Sequence, residues 1–338
     1  MILTFFGIGM MPSGMARAQA IPADGRPASV PSAFIATPFG YFHPSCVHQV
    51  EPGETVLDVG VQKADGTFRS ISPCQYPRFD AVGNVIGSSS NPPPPETGWL
   101  EYAYKVLSPM QYLFAQWTVP ANPAVVDNQI IYLFPGFQDS PLTRAFQQTV
   151  LAWNGAYGGG KKWVIYSWTC CPSGENNFYS APLDVTAGMN VRGWVQGQNC
   201  NAGTGMCNTW RISTGKQTGP QTWLGTTLDT LTGGNQMVEL VGGALEVYAL
   251  GTCRDLPSGA NPITFSGITG QYVGGGTVGG SFSTLENPFT PDCTTGVGTT
   301  SSSATLNYTT DDPYWCPGGK ICCEPGTSTC DICAFSCQ

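Results

Sequence analysis

From Trp99 to about Val297 the chain is a succession of short apolar runs broken by Gly, Pro, Asn or Asp: "YLFAQWTVP", "NQIIYLFPGF", "KKWVIYSWTCC", "MNVRGWVQG", "NTWRISTG" and "GGALEVYALG". Each run is of strand length and none carries a sustained helical period, so the segment predicts strands joined by tight turns. Such strands bury their apolar faces by packing two antiparallel sheets or by closing a barrel. Composition agrees: 43 Gly and 28 Pro among 338 residues, with only 11% charged side chains, favour turns and strands over helices. The expectation is an all-β chain built as an antiparallel β-sandwich.

The flanks divide the rest. Residues 1–20 hold an apolar run followed by small residues ending Ala18-Gln19-Ala20, read as a signal peptide; the run is shorter than the ~20 residues that span a bilayer. Residues 21–98 are Pro-rich, carry both histidines and end in "GSSSNPPPPETG", a stiff exposed spacer. We read them as a prosegment that blocks the working face until the spacer is cut. Residues 99–297 are the sandwich, 298–312 a Thr/Ser-rich linker, and 313–338 a cysteine-rich module whose six cysteines predict a disulfide knot rather than a zinc site. Fourteen cysteines fit an oxidising compartment, so the protein is expected to be secreted and extracellular. Upstream of the tail, proximity suggests pairing Cys46 with Cys74, Cys200 with Cys207 and Cys253 with Cys293; the state of Cys170-Cys171 stays open.

Net charge −8 and the lack of Lys/Arg clusters argue against nucleic acid or an anionic membrane as partner. Both histidines, His43 and His48, precede the sandwich. A Ser or Cys nucleophile normally needs an imidazole base and catalytic zinc normally takes a His ligand, so the sandwich by itself has neither chemistry. Carboxylate remains for acid–base work. Most Asp and Glu residues of the sandwich adjoin turn residues, but Glu246 stands inside the apolar run "GGALEVYALG", where burial would raise its pKa. Glu239, in "QMVELV", is the second choice. A solvent-facing place on an edge strand is the plainer alternative for Glu246. In "RAFQQTVLAW" the adjacent Gln147 and Gln148 point to opposite faces, and Gln148 falls with Phe146, Val150 and Ala152.

With Gln148 and Glu246 in hand the chain resembles the glutamic peptidases, the eqolisin family, as a distant bacterial-type member. "AQWTVP" (115–120) looks like the family's opening strand. In "FPGFQDSPLTRAFQQTV" (134–150) the spacing from Gly136 puts Gln148 at the catalytic glutamine. "YSWTCCPSG" and "LDVTAGMNVRGWV" are similar to the strands that follow, and "ALEVY" (244–248) to the strand carrying the catalytic glutamate. Ser167 and Val247 stand where the family has an acidic residue and Trp. The resemblance implies a concanavalin-like jelly roll and an acid endopeptidase without cofactor or metal. Its Gln148/Glu246 dyad would activate one shared water, work below pH 5 and be indifferent to chelators. Trp117, Trp153, Trp168 and Tyr248 are candidates for substrate contact, and the expected partner is a polypeptide substrate. A monomer is expected, with a wall or matrix ligand left open for the tail. The rival readings are a lectin-like carbohydrate-binding sandwich, a glycoside hydrolase using Glu239 and Glu246, and a non-catalytic surface protein.

Overall fold

The computed structural model describes residues 25–57, 60–86, 98–139, 145–157, 160–171, 176–227, 236–258, 262–289 and 291–311. Residues 1–20, read above as a signal peptide, residues 87–97 of the Pro-rich spacer and residues 313–338, read as a cysteine-rich module, lie outside them. The first strands are short: β1 (Ile35–Thr37), β2 (Gly40–Phe42), β3 (Val47–Val50), β4 (Thr55–Leu57), β5 (Gly60–Gln62), β6 (Phe68–Ser70), β7 (Arg78–Phe79) and β8 (Val85–Ile86). Longer ones follow: β9 (Trp99–Val106), β10 (Met110–Thr118), β11 (Ile130–Asp139), β12 (Phe146–Trp153), β13 (Trp163–Cys170), β14 (Asn177–Ser180), β15 (Leu183–Val185), β16 (Asn190–Asn201), β17 (Met206–Lys216), β18 (Gln221–Thr226), β19 (Met237–Tyr248) and β20 (Ile263–Tyr272). Three short strands close the described chain: β21 (Ser283–Glu286), β22 (Gly296–Thr299) and β23 (Ala304–Asn307).

They build three layers. A nine-stranded sheet runs β21, β9, β19, β11, β12, β13, β14, β3, with β15 beside β13; a ten-stranded sheet runs β22, β23, β20, β10, β16, β17, β18, β4, β5, β6. Alternate residues of the two sheets meet between them, Ile131, Leu133, Leu151, Ile165, Leu245 and Val247 from one, Leu113, Trp117, Val195, Ile212 and Leu224 from the other. The opposite face of the nine-stranded sheet is covered as well. There Tyr132, Phe134, Val150, Tyr166, Trp168, Ala244 and Tyr248 pack against Tyr41 and Phe79 of the small sheet β1, β2, β7, β8 and against Phe34 and Phe39, which flank β1. Burial on both faces is why the runs in β12, β13 and the end of β19 are almost unbroken by charge.

Two stretches behave differently from their sequence reading. The N-terminal region does more than cover a face: β3 pairs parallel with β14 and β4 parallel with β18, and Val50, Val56 and Val61 enter the inter-sheet core. Residues 296–307, assigned mostly to a linker, form the β22–β23 hairpin on β20. Thr is a good strand former, and Ala304 and Leu306 alternate inward between Ser and Thr that face outward. The disulfides Cys46–Cys74, Cys200–Cys207 and Cys253–Cys293 form the expected pairs, and Cys170 is joined to Cys171.

Candidate active site

Glu246 does not lie on an edge. Its strand β19 sits between β9 and β11, and the side chain is fully buried beside Trp99, Tyr132 and Tyr248. Burial pushes its carboxyl up to about 8, against weaker lowering by hydrogen bonds from Tyr248 and Trp99. The Tyr248 hydroxyl donates to Glu246 Oε1 at 2.5 Å, while Glu246 Oε2 has no protein partner. Gln148 is equally buried on β12; its Nε2 donates to the Pro38 carbonyl at 3.4 Å and its Oε1 is unpartnered. Neighbouring Gln147 is buried too, toward the other sheet, with neither amide atom paired. Each of the two amides buries at least one unpartnered atom at a cost of ~1–3 kcal/mol, so burial by itself does not single out Gln148.

Both candidates face the covered side of the nine-stranded sheet, the side of Tyr132, Phe134 and Val150. Their register keeps them apart. On the intervening β11, Gln148 is opposite Gly136 and Glu246 opposite Tyr132. Two strand steps of ~4.8 Å and four residues of ~3.4 Å put their Cα atoms on the order of 16 Å apart. Part of the chain lies between them. The turn Thr37–Gly40 between β1 and β2 presents the Pro38 carbonyl to Gln148, and the Gly40 N–H donates to Tyr248 Oη at 3.0 Å. A continuous relay thus runs Gln148, backbone 38–40, Tyr248, Glu246.

The turn is held firmly. Thr37 Oγ1 donates to the Gly40 carbonyl (2.9 Å) and accepts from Asn177 Nδ2 (3.1 Å), and Tyr132 Oη donates to the Ala36 carbonyl (3.0 Å). Gly40 has φ +106°, and a Cβ there would fall 2.3 Å from the Phe79 carbonyl oxygen, so this corner requires glycine.

Of the aromatic candidates, Trp168 and Tyr248 line this face, Tyr248 edge-on to Tyr41. Trp117 and Trp153 are not brought to it; they point into the inter-sheet core against Phe265 and Trp163. Glu239 is placed differently than strict alternation gives. The register of β19 shifts at Gly242-Gly243 against both β9 and β11, so Glu239 and Glu246, seven apart, fall on the same face. Glu239 is partly exposed and opposite Gln138, two residues from the Gly136–Gln148 register. The two glutamates are nonetheless ~20 Å apart along the strand, beyond the ~5–9.5 Å of a glycosidase acid pair. Tyr132 and Asn177 were missed in the sequence: neither sits in a distinctive motif, and only the path of residues 36–40 gives them a role.

No protein-family profile matches the chain, and no curated protein matches it in sequence. Among solved structures, it is similar to scytalido-glutamic peptidase with a peptide-based transition-state analogue: 12% identity, TM-score 0.46, covering 62% of this chain and 98% of that one. A second structure of that peptidase, with a transition-state analogue inhibitor, gives 11%, 0.44, 63% and 99%. SCP-B, a member of the eqolisin family in complex with the tripeptide Ala-Ile-His, gives 11%, 0.45, 62% and 98%.

Proposed function

We propose that this chain is a secreted endopeptidase held in a latent form, with residues 37–40 seated where a substrate's backbone lies. The observation that supports it is the relay itself. A carboxamide donor meets a backbone carbonyl, and a hydroxyl backed by a buried carboxyl meets a backbone N–H two residues on. Those are the groups amide hydrolysis uses: a donor for the oxyanion and an acid–base pair for water and leaving nitrogen.

In the reaction we assign, Gln148 Nε2 polarises the scissile carbonyl. Ionised Glu246 takes the Tyr248 proton as Tyr248 Oη takes one from water, and the hydroxide adds to the carbonyl carbon. The oxyanion rests on the Gln148 amide, which carries no charge and does not titrate. As the C–N bond breaks, the proton held by Glu246 returns through Tyr248 to the amine. Desolvation is what lifts the Glu246 carboxyl to about 8 in the covered state. Admitting substrate and water lowers it toward the ordinary carboxylate range, which places the working optimum in acid.

The test is hydrolysis of denatured casein across pH 2–8 by the secreted protein, alongside Glu246→Gln, Gln148→Ala and Glu239→Gln. Loss of activity in the first two variants, with folding retained, supports the assignment. Loss in Glu239→Gln alone transfers the carboxyl role to that residue, and undiminished activity in all three removes the mechanism.

A further inference from the structure

Resting on the peptidase reading, the position of the 37–40 turn says more about what is cut. The carbonyl that Gln148 holds belongs to Pro38, so the bond placed for attack is Pro38–Phe39 and the residue on its amine side is Phe39. Its ring is buried between Phe146, tilted at 5.7 Å between centroids, and Trp168, edge-on at 6.3 Å. Phe146 in turn meets Trp99 and Phe134 edge-on at 5.5 and 6.1 Å, and Trp168 is braced by Tyr166 and Tyr179. This is a rigid aromatic box opening beside Gln148, built from the sheet and filled by a side chain of the covering layer.

We propose that the box holding Phe39 is the subsite for the residue that supplies the new amino terminus, so that this chain cuts before aromatic side chains. Aromatic rings packed edge-to-face and tilted hold another ring better than an aliphatic or charged group of similar size. On the carbonyl side, Pro38 is buried and contributes the carbonyl contact, Ala36 joins the same apolar cluster, and Thr37 is held by hydrogen bonds. The ring contacts that would select an aromatic side chain are those of Phe39, on the amine side. The turn itself resists hydrolysis because Thr37 Oγ1 ties Gly40 and Phe39 back onto the corner, keeping the bond out of the extended form that attack requires.

The experiment uses the full chain and its Phe39→Ala and Phe39→Leu variants, which empty or half-empty the box, on a mixed peptide library with mass-spectrometric reading of every cleaved bond. Expected are cuts enriched at least tenfold for Phe, Tyr or Trp immediately after the cleaved bond, faster in the variants than in the parent. A Phe146→Trp change made on top of Phe39→Leu, narrowing the box, should shift the preference to smaller apolar residues. Cleavage with no aromatic enrichment at that position overturns the subsite while leaving the peptidase reading standing. No cleavage by the parent or any variant removes both.

Discussion

At the residue scale, Glu246 carries a pH signature separate from the proposed chemistry. Its folded carboxyl titrates near 8, whereas the unfolded chain's ordinary carboxyl loses its proton near 4.5. Its stabilising contribution is therefore complete below about pH 4.5 and is eroded as pH rises toward 8, by ~1.4 kcal/mol per unit at most. Glu246→Gln keeps the shape and removes the titration. In urea melts at pH 4, 6 and 8 the wild type should lose several kcal/mol relative to the variant across the series, and parallel curves would refute the buried ionisation. Glu101, also buried and raised to about 8, with its Oε2 accepting from Gly296 N–H, should show the same trend under Glu101→Gln. Tyr248→Phe deletes the donor to Glu246 and the acceptor for Gly40; steady-state kinetics should show kcat falling by ~10²-fold or more with folding intact. The carboxyl and Gln148 were legible in the sequence because polar groups interrupted apolar alternation. Their distance was not, because register across a third strand is set by pairing that no local pattern encodes.

At the element scale, the strands were readable and the bulge in β19 was not. Alternation predicts a face correctly until an extra residue is absorbed, and Gly242-Gly243 absorb one where Phe282 and Phe265 leave no room for side chains. The β22–β23 hairpin was hidden for a different reason: a Thr/Ser-rich stretch has the composition of a tether, and only the inward spacing of Ala304 and Leu306 betrays a strand. Close approach of the two sheets is equally specific. A Cβ on Gly193 of β16 would sit 2.1 Å from Thr149 Oγ1 and 2.4 Å from its Cβ on β12. Gly193→Ala must push the sheets apart at their centre, and thermal melts should register a loss of ~1–3 kcal/mol.

At the scale of the whole molecule, the N-terminal region is woven into the body as well as laid over it. Its disulfide Cys46–Cys74 is internal, and among the described residues no disulfide ties it to the rest. What holds it are the β3–β14 and β4–β18 pairings, three valines in the inter-sheet core and the aromatic layer over the relay. A cut between residues 87 and 97 alone should leave the two pieces together: one peak on native size exclusion, two bands on a denaturing gel. Separation on cutting would show that these contacts are too weak to hold. Losing the region altogether has a further cost. β14 and β18 would each be left with a bare row of amides and carbonyls, an open template for any passing strand. Unmasking the relay and keeping the molecule from sticking to its own kind are thus set against each other by one stretch of chain.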